Sequence, residues 1–293
     1  MQNYITRVIY TFVCSVLLSL ILFITPTLAL DVDLGQQADS VVASNSIVQP
    51  PTVATPDSVI LPGQSGLPLL EQLNVIYSPL KSVGYRKARD LLYSQIDNKD
   101  GIVEGIYSGY RVPISQTSSQ PRQDATDGGI NAEHVWPRSQ GAKSNPAKSD
   151  MHHLFPARKE VNSARDNHPF ADIPDDQTKS WYLDDQKESV KPSPQVIDLY
   201  SESYRKKSDG IFEPRESKKG DVARAMFYFQ TIYPNRADDD FFNSQKETLC
   251  KWAEEDPIDS GEVERSHKIA NTEQGNENPF VLDSTLPKRT YCN

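Results

Sequence analysis

The stretch NAEHVWPRSQG, residues 131–141, opens a unit of strand, loop, strand and helix that decides the predicted fold. NAEHVWP has the composition of a short strand that ends near Pro137, and the loop GAKSNPAKS follows it. DMHHLFP, residues 150–156, predicts a second short strand, and ARKEVNSARDN, residues 157–167, predicts a helix of about three turns. The unit brings several polar residues within a short length of chain.

These polar residues form the candidate site. Four of the five histidines lie between residues 134 and 168, in a window that is basic within an acidic protein. Glu133 and Asn162 offer the oxygen ligands that a hard cation such as Mg²⁺ prefers. A neutral His134 imidazole is suited to deprotonating water. On an extended strand, Glu133 and His134 point to opposite sides. The alternative is a chance grouping of polar residues in loops.

Three spaced blocks resemble the secreted endonuclease I family of non-specific nucleases: EHVWPRSQG, SDMHHLFP and EVNSARDNHPF. Later segments resemble the family too: FEPRESKKGDVARAMFYF, LCKWAEEDPID and QGNENPF. The likeness covers roughly residues 70–285. It implies an α+β fold in which a ββα-metal (His-Me finger) core is embedded in a mostly helical single domain.

The resemblance implies a role for each matching residue. His134 is the general base, and Glu133 and Asn162 hold Mg²⁺, which Ca²⁺ or Mn²⁺ could replace. His152 is assigned a supporting catalytic role, either orienting the site or contacting phosphate. Arg165 follows Asn162 by three residues on one helix face and is a candidate phosphate contact, with a surface arginine as the alternative.

The sequence departs from the family between the base and the second strand. Well-known members have a longer, cysteine-containing insertion there, with an arginine that helps to bind phosphate. Only PRSQGAKSNPAKS intervenes in this chain. Arg138, Lys143 and Lys148 are therefore the candidate substrate-binding residues.

The function implied is a metal-dependent endonuclease that hydrolyses the phosphodiester bonds of DNA, with RNA as a second candidate substrate. Two other functions stay open: a zinc hydrolase that uses His134, His152 and His153 with a carboxylate, and a secreted binding module without catalysis. The formal net charge of −9 argues against wrapping nucleic acid over a broad surface. We expect a monomer.

The composition divides the chain into three parts. Residues 1–30, with Arg7 before an apolar run and Ala29 after it, predict a cleaved export signal; a retained membrane anchor is the alternative. Residues 31–66 contain no aromatic residue, Lys or Arg and predict a disordered linker. Residues 67–293 are the predicted nuclease domain. The protein is expected in the periplasm or outside the cell, without stable membrane association after signal cleavage.

Two cysteines, Cys250 and Cys292, lie outside the predicted signal. In an exported protein they predict one disulfide, with two free thiols as the alternative.

The remaining elements follow from periodicity. Residues 101–112 predict a strand or hairpin, whereas 113–130 read as a surface loop and 171–194 as irregular. Asp221 and Arg224 are three residues apart and predict an intrahelical or packing-supporting pair. Further helices are predicted at residues 78–96, 220–234, 243–256 and 259–274.

Overall fold

The computed structural model of the protein describes residues 58–206 and 209–292, which belong to one compact unit. The predicted export signal and residues 31–57 of the predicted linker lie outside the described residues. Within the described part, small antiparallel sheets alternate with helices along the chain. The α+β prediction is confirmed.

The described helices are all short. The longest has 14 residues, and no described helix has both the length and the apolar character needed to cross a bilayer. The α-helices are α1 (Gly66–Tyr77), α2 (Tyr85–Leu91), α3 (Pro121–Asp127), α4 (Lys159–Arg165), α5 (Lys219–Ile232), α6 (Asp239–Asn243), α7 (Lys246–Glu255), α8 (Ser260–Ala270), α9 (Pro279–Leu282) and α10 (Leu286–Thr290).

Three sheets are present among the described residues, and every pairing within them is antiparallel. The first has the order β1-β2-β3, the second pairs β4 with β5, and the third has the order β7-β6-β8-β9. The strands are β1 (Asn98–Lys99), β2 (Ile102–Glu104), β3 (Arg111–Pro113), β4 (Ile130–His134), β5 (Leu154–Arg158), β6 (Ser180–Leu183), β7 (Gln186–Glu188), β8 (Ser201–Lys206) and β9 (Asp209–Glu213).

Helix α5 is the centre of the main hydrophobic core. Twelve of its 14 residues are buried, and it packs against α1, α7 and α9. Trp136, which follows the candidate site in sequence, stacks on Phe229 of this helix with a centroid distance of 4.5 Å. A helix that is buried on nearly all sides acts as a core element. Through the contact between Phe229 and Trp136, α5 supports the segment that follows the candidate site.

The predicted pair between Asp221 and Arg224 is wrong. The Arg224 guanidinium binds Glu262 of α8 through Nη2 and Nε, at 2.6 and 2.7 Å from the two carboxylate oxygens. Asp221 instead accepts a hydrogen bond from Lys218 Nζ at 3.0 Å. Arg224 is buried on the side of α5 that faces α8, so its partner comes from the tertiary structure rather than from its own helix.

Other segments also differ from their predictions. The predicted loop at 113–130 contains α3, and the segment 171–194, predicted to be irregular, contains β6 and β7. Helix α2 begins at Tyr85, later than the predicted start at Ser78, and continues as a π-helical turn over Leu92–Ile96.

The ordered chain includes residues that the composition assigns to a linker. Ile60 N donates to Asp283 Oδ2 at 2.8 Å. The Arg289 guanidinium donates to the carbonyl oxygens of Ile60 and Leu61 at 2.9 and 2.5 Å. The two ends of the folded unit therefore meet. Close to this junction, Cys250 and Cys292 form a disulfide with a Cα–Cα distance of 5.5 Å.

Candidate active site

The candidate site is built on the β4–β5 hairpin and on α4, which follows β5 directly. The register pairs Glu133 with Phe155 and His134 with Leu154. β4 ends at His134 rather than near Pro137, and residues 151–153 form a 3₁₀ turn before β5. Alternate strand residues share a face, so Asn131 and Glu133 lie on one face and His134 on the other.

Glu133 is buried and held through one of its two oxygens. Tyr107 Oη donates to Glu133 Oε1 at 2.8 Å, and Arg165 Nε lies 3.4 Å from the same oxygen. Burial raises the pKa of Glu133, while the Arg165 charge and the Tyr107 hydrogen bond act in the opposite direction. The backbone of His134 also hydrogen-bonds to this carboxylate, whereas neither the Tyr107 nor the Arg165 contact is made to Oε2.

Asn162 lies beside the same face of β4. Its Nδ2 donates to Asn131 Oδ1 at 2.8 Å, and Asn131 shares a strand face with Glu133. Because Nδ2 is engaged, Oδ1 is the amide atom of Asn162 that could bind a cation. The α4 helix thus brings an amide oxygen to the strand that carries Glu133.

Arg165 does not fit the role of a phosphate contact. Its side chain is fully buried and donates to the carbonyl oxygens of Asp166 and Val135 at 2.8 and 2.7 Å. The guanidinium also lies 4.6 Å from the Phe170 ring centroid. Arg165 lies on the same face of α4 as Asn162, as the helical period predicts. Phe170 covers that end of the face, so the Arg165 guanidinium lies beside the Glu133 carboxylate instead.

His134 is held in one tautomer. Its Nε2 lies 3.0 Å from the carbonyl oxygen of Lys148, and a carbonyl can only accept, so Nε2 carries the hydrogen and Nδ1 is the unprotonated nitrogen. Burial lowers the pKa of His134 to about 3, and His153 acts in the same direction. The ring centroid lies 5.4 Å from that of Tyr85.

His152 does not reach substrate in this structure. It is buried, and its Nε2 donates to the carbonyl oxygen of Asn276 at 2.9 Å. Burial lowers its pKa to about 4. A phosphate contact by His152 is therefore not compatible with the fold, because the ring lies in the core beside Tyr228. The next residue, His153, lies beside His134, with 5.6 Å between the centroids of the two imidazole rings.

Two of the three basic side chains predicted to bind substrate lie near His134. Arg138 and Lys148 are close enough for their charges to lower the pKa of His134. Lys148 Nζ lies 5.0 Å from the Tyr85 ring centroid. Lys143 is exposed in the loop, and within the described part of the chain its side chain has no contact with this group.

Three residues near the site were not predicted from the sequence: Tyr85, Arg89 and Tyr107. Arg89 lies over the Tyr85 ring with its Cζ 4.4 Å from the centroid. Tyr85 and Arg89 are four residues apart on α2, and this spacing was the available signal, since residues at i and i+4 meet on a helix. Tyr107 comes from the connection between β2 and β3 and had no comparable signal.

The donors present suit a hard cation. Among residues 58–206 and 209–292, no group of three or more His, Cys, Asp or Glu side chains is placed to hold a metal. The site instead offers one carboxylate oxygen of Glu133 and one amide oxygen of Asn162. This set fits Mg²⁺, which keeps several waters and needs only one or two protein ligands.

Comparisons with known proteins identify the family of the chain. A family model described as Endonuclease I matches residues 70–285. An extracellular ribonuclease of Bacillus amyloliquefaciens is 29% identical over 234 residues, which cover 75% of this chain and 72% of the relative. An extracellular ribonuclease of Bacillus subtilis (strain 168) is 31% identical, covering 53% of this chain and 51% of the relative.

A periplasmic deoxyribonuclease of Aeromonas hydrophila is 32% identical, covering 48% of this chain and 50% of the relative. This chain therefore spans about half the length of the last two relatives and more of the first. The family match covers well over half of the chain and includes β4, β5 and α4. The chain belongs to the endonuclease I family.

Proposed function

We propose that the protein is an exported, Mg²⁺-dependent endonuclease that hydrolyses phosphodiester bonds of DNA, and of RNA as well, without strong sequence preference. Its family supports this, as do relatives named as ribonucleases and deoxyribonucleases. The observation that carries the proposal is the neutral His134 imidazole. Its Nε2 donates to Lys148, and Nδ1 remains as a base at the end of the strand that holds Glu133.

In this proposal His134 accepts a proton from the attacking water at Nδ1. General-base assistance of this kind contributes about 10²–10⁴ to a rate. The low pKa of His134 keeps the imidazole neutral at physiological pH. The negative charge of a bound phosphodiester would raise that pKa, because an opposite charge favours the protonated imidazole, and so would strengthen the base when substrate is present.

Glu133 Oε2 and Asn162 Oδ1 are the atoms that would hold Mg²⁺, with Ca²⁺ or Mn²⁺ able to take its place. When bound, the cation would stabilise charge on the phosphoryl oxygen and on the leaving 3′ oxygen, which gives products with 5′-phosphates. Tyr107 and Arg165 fix the orientation of the Glu133 carboxylate from the other side. In this proposal β4, β5 and α4 form a ββα-metal (His-Me finger) core.

The histidine geometry disfavours a zinc hydrolase. His134, His152 and His153 donate from Nε2 to three different main-chain carbonyls, those of Lys148, Asn276 and Ala147. In the described residues they do not combine with a carboxylate into a metal-binding group. A binding module without catalysis is disfavoured as well, since the base and both oxygen ligands are retained.

Export is supported by the predicted signal and by relatives named as extracellular or periplasmic. We propose that the enzyme acts as a monomer. We propose that the enzyme acts in the periplasm or outside the cell, free of the membrane.

A nicking assay on supercoiled plasmid tests the proposal. The parent protein should nick DNA with Mg²⁺ and not with EDTA, and His134→Ala should lower the rate by about 10²–10⁴. His267→Ala is the matched control, because His267 is half-exposed and pairs with Glu277 away from the site. The proposal fails if the parent does not cut, or if His134→Ala cuts as fast as His267→Ala.

A further inference from the structure

Helix α2 brings a positive group to the candidate active site. The Tyr85 ring is adjacent to the His134 ring, and the cations of Arg89 and Lys148 lie 4.4 and 5.0 Å from its centroid. Burial raises the pKa of Tyr85, the charges of Arg89 and Arg138 oppose that shift, and Glu133 adds to it. Tyr85 is therefore close to the proposed base, to the proposed cation ligand and to three positively charged side chains.

Arg89 differs from the comparable arginines of this protein. Its side chain is half-buried, its Nε is buried without a hydrogen-bond partner, and it forms no ion pair within the described residues. Seven other arginines of the described part are buried or half-buried, and each lies within ion-pair distance of a carboxylate: Arg122, Arg158, Arg165, Arg215, Arg224, Arg265 and Arg289.

An unpaired cation in a partly dry position is costly, because burial removes water without supplying an opposite charge. Contact with the Tyr85 ring recovers part of that cost. The Lys148 ammonium on the same ring adds repulsion between like charges. An anion that contacted both side chains would offset these unfavourable terms, and a phosphate is an anion of this kind.

We infer that Arg89, resting on Tyr85 and assisted by Lys148, binds a backbone phosphate of the nucleic acid beside the scissile bond. This inference rests on the proposed function and adds a phosphate-binding residue to it. The connection between β4 and β5 supplies Lys148, and α2 supplies Arg89 from another part of the chain. An arginine suits the task because its planar guanidinium can donate two parallel hydrogen bonds to phosphate.

Binding measurements in EDTA separate this inference from catalysis. The probe is a fluorescein-labelled DNA duplex, whose affinity is measured over a range of salt concentrations for the parent, Arg89→Gln, Arg89→Lys and Arg86→Gln. Arg86 is the matched control, since it is exposed on the same helix and its loss removes the same charge. Thermal denaturation checks that each variant is folded.

Arg89→Gln should bind about tenfold more weakly, as expected for the loss of one charged hydrogen-bond contact. The slope of log affinity against log salt should fall by about 0.9, the value for one phosphate contact on duplex DNA. Arg89→Lys should keep the slope, and Arg86→Gln should keep both quantities. A purely structural role for Arg89 would leave the salt slope unchanged.

The inference is overturned if Arg89→Gln and Arg86→Gln show the same affinity and slope. The parallel nicking assay with Mg²⁺ reports on the proposed function separately. A parent protein that binds DNA without cutting it contradicts that function, while the comparison of Arg89→Gln with Arg86→Gln still decides whether Arg89 contacts phosphate.

Discussion

At the scale of single residues, the orientation of Glu133 is fixed before any cation arrives. Tyr107 and Arg165 both engage Oε1, and both are buried. In the proposed function, a carboxylate held in this way would lose little further freedom when Oε2 takes a ligand, so its partners would contribute to cation binding without touching the cation.

Replacing Tyr107 with phenylalanine tests this contribution. Tyr107→Phe removes one hydrogen bond from Glu133 Oε1, and we expect the Mg²⁺ concentration for half-maximal nicking to rise by about 10–100-fold. The measurement is a Mg²⁺ titration of plasmid nicking. Tyr110→Phe is the control, because Tyr110 Oη donates to the Gly128 carbonyl away from Glu133. Equal Mg²⁺ requirements in the two variants would contradict the role given to Tyr107.

The sequence was sufficient to select Glu133, His134 and Asn162 as candidates, because local spacing and family blocks both point to them. It could not predict the burial of Arg165, since periodicity identifies a helix face but not the Phe170 ring that covers its end. The sequence showed the i, i+4 spacing of Tyr85 and Arg89, but not the approach of Tyr85 to His134, which depends on how α2 packs.

At the scale of elements, β8 and β9 place two buried carboxyl groups side by side. Glu202 and Glu213 are register partners, and Thr178 Oγ1 donates to Glu202. Burial raises the pKa of Glu202 from 4.5 to about 7, and the charge of Glu213 adds to the shift. At pH values between 4.5 and about 7, Glu202 therefore keeps its proton in the folded protein but loses it in the unfolded chain.

This shift predicts a pH dependence of stability. The contribution of Glu202 is fully present below pH 4.5 and is lost as the pH rises through about 7. Glu202→Gln stays neutral at all pH values, so its melting temperature relative to the parent should increase from pH 5 to pH 8. Thermal denaturation at both pH values is the measurement, with exposed Glu254→Gln as the control. A difference between Glu202→Gln and the parent that does not change with pH would contradict the assignment.

Most of the larger helices could be predicted because their apolar residues repeat at a helical period, as in α5, α7 and α8. Strands β6 and β7 could not, since they are short and β7 is largely polar, so no alternation marks them. Helix α1 has buried Leu69, Leu73 and Tyr77 at a spacing of four. That signal was present in the sequence, and the predicted linker ends at residue 66, where the helix begins.

At the scale of the whole molecule, the disulfide joins α7 to the segment after α10 across a sequence separation of 42 residues. Closing a loop of that length should stabilise the folded state by about 4 kcal/mol through the entropy of the unfolded chain. We expect the double variant Cys250→Ser/Cys292→Ser to lose this amount in urea denaturation. A reductant should destabilise the parent and leave the variant unchanged. Equal stabilities of parent and variant without reductant would contradict the prediction.

The junction of Ile60 and Leu61 with Arg289 has a consequence for the order of assembly. Arg289 is synthesised 229 residues after Ile60, an interval of roughly 10–50 s at cellular translation rates. Throughout that interval the early segment lacks its partner, so this junction cannot form until the end of the domain has been made. The disulfide adds a second requirement that an oxidising compartment meets. Because Cys292 follows Arg289 in sequence, the disulfide also cannot form earlier, so the last steps of folding wait for the end of the domain.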